Sequence, residues 1–311
     1  MYVAVFVCLS VKAVHVEIVP DLSSAACINA IKRFVARRGR LIELRCDNAT
    51  AFVGADREMR ELQNRYRQQF QTDKWDRYCL DSGITFNFIP ARSPHFGGLW
   101  EAGVKSFKHH FRRIFGNSSY TIDELTTAAT HIESILNSRP LTPLTDHPND
   151  LSVLTPGHFL IGEPMFSILE PDESNVTITK TSRLQEMRCA VQNFWKCWSR
   201  DYLTRLHQRS KWRGATKNIK PGDVVLLKQP NFPPFAWPLG RIIEAVVGSD
   251  GLVRVVLVRT SRGLFKRAIT EVSVLPIDTV EDVNEETRTS DEDQAANETQ
   301  VVEDGTSKHR E

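Results

Sequence analysis

Two apolar, β-branched runs, residues 2–10 and 13–19, follow each other with only Val11 and Lys12 between them. No other feature restricts the fold of this chain as much. A link that short predicts an antiparallel hairpin. A helix follows, capped by Asp21 or Ser23 and running to about residue 38. Ala26, Ile28, Ala30, Ile31, Phe34 and Val35 fall at helical spacing along it. Residues 41–46 are predicted as a strand, brought parallel to the first by a right-handed crossover. A charged helix at about 56–69, a helix at 75–82, a strand at 84–89 and helices at 96–115 and 122–138 complete the order β-β-α-β-α-β-α-α. The class is α/β.

The pattern then changes. Residues 139–180 hold six of the fifteen prolines and predict an extended connector. Residues 181–218 predict a long amphipathic helix with a basic linker. Leu184, Met187, Val191, Trp195, Trp198, Tyr202 and Leu206 form its apolar stripe, and Trp195 and Trp198 are expected to be core anchors rather than stacking platforms. From residue 219 to 276 the period is two. Five short strands are expected at 223–228, 240–247, 252–260, 264–268 and 272–275. Ser249-Asp-Gly251 is a strong hairpin signal, and five such strands predict a small SH3-like β-barrel. Residues 277–311 contain 12 acidic and 3 basic residues, which predicts a disordered acidic tail. The remainder carries 37 bases against 26 acids, a basic body of the kind that binds nucleic acid.

Two function classes drop out. The apolar run at residues 2–9 is too short to span a bilayer and lacks the flanks of a secretory signal. No membrane partner is therefore expected, and a nuclear or cytoplasmic setting is the default. The six cysteines show no C-x-x-C pair, so buried free thiols are expected rather than a zinc site.

Two acids stand out by context. Asp47 ends a predicted strand and opens a turn. Glu101 follows a glycine-containing loop, Ser93-Pro-His-Phe-Gly-Gly98, and sits in the first turns of a helix. An acid at a strand end and one near a helix start can converge on Mg²⁺, which takes hard oxygen ligands. Two such ions about 4 Å apart stabilise the attacking and leaving oxygens of a phosphoryl displacement. The competing reading of Asp47-Asn48 alone is a turn after a strand. The predicted Glu101 helix has an apolar face of Trp100, Val104, Phe107, Phe111 and Phe115. Its other face carries Glu101, Lys105, Lys108 and Arg112, which is either a metal site running into a phosphate track or a solvated Glu–Lys face. His95 can contact DNA or only hydrogen-bond within its loop. Asn48 can orient a metal shell or close the turn. Arg209, Lys211 and Arg213 begin a basic run that suits phosphate contact.

The motifs Asp47-Asn-Ala-Thr-Ala-Phe-Val-Gly54, Ser93-Pro-His-Phe-Gly-Gly-Leu-Trp-Glu101 and Leu154-Thr-Pro-Gly-His-Phe-Leu-Ile-Gly162 resemble the integrase core of BEL/Pao-type LTR retrotransposons. Phe194-Trp-Lys-Cys-Trp198, Pro221-Gly-Asp-Val-Val225 and Trp237-Pro-Leu-Gly-Arg241 resemble the module that follows that core. The resemblance covers about residues 1–276. It implies an RNase H-like integrase catalytic core at residues 1–138, truncated so that its first strand, with the first catalytic Asp, would lie upstream of Met1. It implies a transposable-element polyprotein fragment and a polynucleotidyl transferase by descent, acting in DNA integration. Asp47 and Glu101 are then catalytic metal ligands for two Mg²⁺ or Mn²⁺ ions in the intact enzyme. Lys105 and Lys108 correspond to lysines that touch the DNA end. The expected partners are element ends, target DNA and further copies of the chain in a homo-oligomer. Lacking one acid, this chain is expected to bind metal weakly or not at all and to be inactive. Glu17 is rejected as a substitute, because the family's first acid is not on its strand, and Asp21 is better explained as a helix cap. A catalytically dead DNA-binding relic and a chromatin-reader-like barrel module are the alternatives.

Overall fold

The computed structural model describes residues 1–69, 83–90, 104, 107, 108, 111, 112, 115, 119–145, 147–173, 182–206, 218–229 and 232–275. The predicted helix at 75–82 and the acidic tail lie outside these residues.

The opening hairpin is present. Strands β1 (Tyr2–Val7) and β2 (Val14–Val19) pair antiparallel, with Tyr2 opposite Val19 and Val7 opposite Val14. Helix α1 (Ser24–Arg38) follows, and its cap is Ser23, whose side chain accepts from the Ala26 N–H. Asp21 supports that cap by accepting the Ser23 N–H at 2.8 Å. Gly39, at φ 88°, ends α1 in a conformation that costs glycine little.

Strand β3 (Glu43–Cys46) pairs parallel with β4 (Thr85–Phe88). Between them, helix α2 (Thr50–Gln69) begins six residues earlier than the charge pattern predicts. The turn at Asp47–Ala49 runs straight into it, with the Phe52 and Val53 N–H groups donating to the Ala49 carbonyl. Gly54 lies inside α2 because α1 is so close. A Cβ there would meet Ser24 Oγ at 1.9 Å and Ser24 Cβ at 3.0 Å.

Helix α3 (Ile122–Asn137) carries a full capping box between Thr121 and Glu124. Its buried face, with Ala128, Ala129, Ile132 and Ile135, packs on Val14 and Val16 of β2, on Phe107 and Phe115, and on Met187, Val191 and Phe194. The predicted connector is not without regular structure. It contains a two-residue strand pair, β5 (Thr142–Pro143) with β6 (Val153–Leu154), and a short helix, α4 (Pro156–Ile161). Elements that short sit below the length at which periodicity is readable.

Helix α5 (Arg183–Leu206) buries Met187, Val191, Phe194, Trp195 and Trp198. Five strands follow: β7 (Val224–Leu227), β8 (Leu239–Val247), β9 (Val253–Thr260), β10 (Gly263–Ala268) and β11 (Val272–Val274). They form one antiparallel sheet in the order β10-β9-β8-β7-β11. The five expected strands are all present in this one sheet, and β10 and β11 are its two edges and do not pair with each other, so among the described residues the sheet is not closed. A 3₁₀ turn at Ile269–Glu271 carries β11 across to β7 instead. The β8–β9 pairing shifts register twice, between Ile242 and Glu244 and between Val246 and Val247, and such bulges raise the local twist.

Aromatic packing ties this sheet to α5. The Trp237 ring lies 4.8 Å from that of Trp195, 5.8 Å from Trp198 and 5.5 Å from Tyr202. Its indole N–H donates to Ser138 Oγ at 3.2 Å, just past α3. Trp195 and Trp198 are buried anchors. The buried Arg241 guanidinium donates to the carbonyls of Gly222 and Asp150, joining the connector to the sheet. Trp237→Ala removes one indole from the shared cluster and leaves a cavity, so an unfolding free energy lower by about 3 kcal/mol is expected. Urea melts of both proteins check this.

Candidate metal and nucleic-acid site

Asp47 stands at the carboxyl end of β3, directly after the buried Cys46. Cys46 belongs to the cluster of Ile28, Ile31, Ala55 and Phe86 that anchors β3 and β4 against α1 and α2. With Cys46 held inward, Asp47 is exposed. Its Oδ1 accepts the Ala49 N–H at 3.0 Å, an Asx turn that orients the carboxylate. Asn48 Nδ2 donates to the Ile89 carbonyl at 2.8 Å. Asn48 thus ties the ends of the two parallel strands together.

Val104, Phe107, Lys108, Phe111, Arg112 and Phe115 are helical. Phe107 and Phe115 are buried and Phe111 stacks between them, at 5.1 and 4.7 Å between ring centroids. Lys108 and Arg112 are exposed. Asp47, Lys108 and Arg112 line one cavity of about 1310 Å³. Of the sequence-predicted residues, these three share that cavity's wall. Glu101, Lys105, His95, Arg209, Lys211 and Arg213 lie outside the described residues. Among the described residues, no group of three or more His, Cys, Asp or Glu side chains could hold a metal ion.

The nearby thiols are poor nucleophiles. Burial, helped by the adjacent Asp47 charge, pushes the Cys46 thiol up to about 12. Burial pushes Cys27 up to about 11. Both stay protonated at neutral pH.

A second set of ionisable groups joins β2, α1 and α3. Glu17 and Glu133 are each 5 % exposed and His15 is 2 % exposed. His15 sits between them, with Nε2 at 2.9 Å from Glu17 Oε1 and Nδ1 at 3.1 Å from Glu133 Oε2. Arg33 Nε donates to Glu17 Oε2 at 2.7 Å, and Arg37 also pairs with Glu17. Arg38 pairs with Glu133, which also accepts the Val16 N–H at 2.8 Å. Burial raises the Glu133 carboxyl. Hydrogen bonds from His15 and Val16, with the charges of His15 and Arg38, outweigh it and hold the group below the ordinary carboxylate range. Glu17 is thus committed to a structural network. Its signal was present in the sequence, as a His-x-Glu pair on one strand followed by Arg33, Arg37 and Arg38 on the next helix.

Residues 182–275 match the family described as "Family of unknown function (DUF5641)". The match covers α5 and the C-terminal sheet, less than a third of the chain. No curated protein matches. A chain from the cryo-EM structure of the simian T-cell lymphotropic virus intasome in complex with PP2A regulatory subunit B56 gamma is similar over 89 % of this chain and 73 % of that one, at 12 % identity and a TM-score of 0.35. A TM-score that low does not establish a shared fold. Among the described residues no helix is long and apolar enough to cross a membrane.

Proposed function

We propose that residues 1–138 are most of an RNase H-like integrase core and that the chain binds DNA through its basic body. The observation that supports this reading is that Asp47, Lys108 and Arg112 line one cavity. A carboxylate at a strand end and two helix cations thus line the same space. Helical spacing sets Glu101 and Lys108 seven residues apart, on one face. The motifs around Asp47 and Glu101 supply the rest of the support. In this reading the units are a core at 1–138, a connector at 139–180, a helix and linker at 181–218, a barrel-like module at 219–276 and an acidic tail at 277–311. The setting is nuclear or cytoplasmic, and the assembly is a homo-oligomer on DNA.

The donor chemistry fits Mg²⁺ or Mn²⁺ in part. Asp47 presents a hard oxygen donor to the cavity and spends only Oδ1 on the Ala49 N–H. Glu101 is the proposed second ligand. A divalent ion bound there supplies activation of an oxygen nucleophile and neutralises charge on the phosphoryl group. The chain's own residues do the positioning. The Ala49 N–H and the Asn48–Ile89 bond hold the Asp47 carboxylate at the strand end. Lys108 and Arg112 set the path of a phosphate backbone toward it, with Lys105 one turn nearer Glu101. Arg209, Lys211 and Arg213 contact phosphates away from the acids.

Fluorescence anisotropy with duplex DNA across a salt series tests the binding half of this proposal. Affinity should fall linearly with salt on logarithmic axes, and Lys108→Ala/Arg112→Ala should lower the magnitude of the slope by about 2. Deleting residues 277–311 should tighten binding at low salt, because that segment's net charge of −9 competes with phosphate for the body. A slope unchanged by the double substitution removes the cavity cations from the DNA path.

A further inference from the structure

Residues 164–173 of the connector run without helix, turn or bend, so their backbone is extended. Met165 and Ser167 are partly buried while Phe166 and Ile168 face solvent, the alternation of a strand. Phe166 is 78 % exposed, Ile168 82 % and Leu169 99 %. From Phe166 to Leu169 no backbone group has a backbone partner among the described residues.

This stretch is nonetheless held at both ends. Met165 sits so close to α4 that a Cβ on Gly157 would meet Met165 Cγ at 2.9 Å. The buried Gln192 of α5 donates to the Pro171 carbonyl at 2.8 Å and accepts the Glu173 N–H at 2.9 Å. Arg188 Nε lies 3.3 Å from Glu170 Oε1. An apolar strand is thus fixed in place and left in water. Exposed apolar clusters of this kind mark interaction sites, and a strand already ordered loses less entropy on binding. Its charge excludes phosphate as the partner. Residues 159–173 contain four acids and no Lys or Arg, inside an otherwise basic body.

Strand β10 offers the complement. It is an edge of the C-terminal sheet. Ser261 and Arg262 form the two-residue turn before it, with Thr260 opposite Gly263. The pair that closes such a turn is hydrogen-bonded, so Gly263, Phe265 and Arg267 bond to β9. The backbone groups of Leu264, Lys266 and Ala268 point away from β9 and have no backbone partner among the described residues. The side chains of these three are exposed as well, Leu264 at 55 %. A lysine on an edge turns away uncharged strands. With Arg262 and Arg267 beside it, Lys266 suits a strand flanked by acids.

We propose that residues 164–169 of one copy of the chain add to β10 of a second copy as a sixth strand of its sheet. Both surfaces are exposed on the same chain, so neither covers the other within it. Each spans six residues. Glu163 and Glu170 bracket the connector strand, and Arg262 and Arg267 bracket the edge, so charge complements at both ends. A connector-to-connector contact would instead set acid against acid. Such β-augmentation takes affinity from backbone bonds and specificity from alternate side chains, here Phe166 and Ile168 beside Leu264. The inference gives a contact to the homo-oligomer proposed above. It rests on these two surfaces and not on the DNA chemistry, so its test contains no DNA.

Sedimentation velocity of the full chain over a concentration series reads the outcome. Wild type should self-associate. Phe166→Asp/Ile168→Asp should weaken association at least about tenfold. Lys266→Pro should do the same, because it removes an N–H that faces away from β9. Lys266→Ala removes the charge alone and should weaken it less. All of these positions are exposed, and proline is tolerated on a free edge, so each variant should melt like wild type. Mixing is decisive. The connector variant keeps its edge and the Lys266→Pro variant keeps its connector, so together they should form a one-to-one pair that neither forms alone. A monomeric wild type, association unchanged by either substitution, or no pairing in the mixture would overturn the proposal.

Discussion

Glu133→Ala should lower the unfolding free energy by about 3–5 kcal/mol, the loss expected when one partner is removed from a buried ion pair. Glu133 is 5 % exposed. It accepts from the Val16 backbone, His15 and Arg38. Alanine leaves a buried strand N–H and two potential cations without their acceptor, and replaces none of those bonds with packing. Glu133→Gln keeps an acceptor oxygen and the side chain's shape, so its cost should be smaller. The pH dependence has a defined sign. The folded carboxyl lies below its ordinary value, so its stabilisation is complete above the unfolded value of about 4.3. It is lost as pH falls through the lowered folded value. Urea melts at pH 7 and at stepwise lower pH check both statements. Wild type should lose stability toward acid more steeply than Glu133→Gln. A loss below about 1 kcal/mol in Glu133→Ala would mean that the network does not hold α3 to β2.

Which features were legible in the sequence follows from the range of the forces that set them. The β1–β2 hairpin is local: two β-branched runs and a short link determine it. The C-terminal strands are local too, since alternation and glycine turns place each to within about two residues. Closure of those strands into a barrel is not local. It depends on whether β10 reaches β11, and the turn at Ile269–Glu271 sends β11 to β7 instead. The start of α2 was missed because Thr-Ala-Phe-Val-Gly mixes β-branched residues with glycine. The glycine answers to Ser24 on another helix, a contact that no local window contains. The His15–Glu17–Glu133 cluster spans more than a hundred residues of chain, and Glu133 looks like an ordinary helix acid until α3 is laid against β2.

The candidate site divides in the same way. Asp47 at a strand end and the two faces of the helix that follows residue 100 could be read from motif and period. That Lys108 and Arg112 share a cavity with Asp47 could not, because it depends on tertiary packing between segments about sixty residues apart.

The central claim is that Asp47 and Glu101 belong to one metal-dependent DNA-joining site that needs a further acid. Strand transfer of a labelled DNA end into target DNA, with Mg²⁺ or Mn²⁺, tests it most directly in two proteins. One is the 311-residue chain, and the other carries an acid-bearing strand grafted ahead of Tyr2. The 311-residue chain should give no product and the grafted chain should give one. Asp47→Asn and Glu101→Gln should each reduce that product by more than about 100-fold, since even the outer partners of a metal site cost 10–100-fold when removed. Product from the ungrafted chain that vanishes on Glu101→Gln would contradict the need for another acid, and product from the grafted chain that survives Asp47→Asn would contradict the site itself.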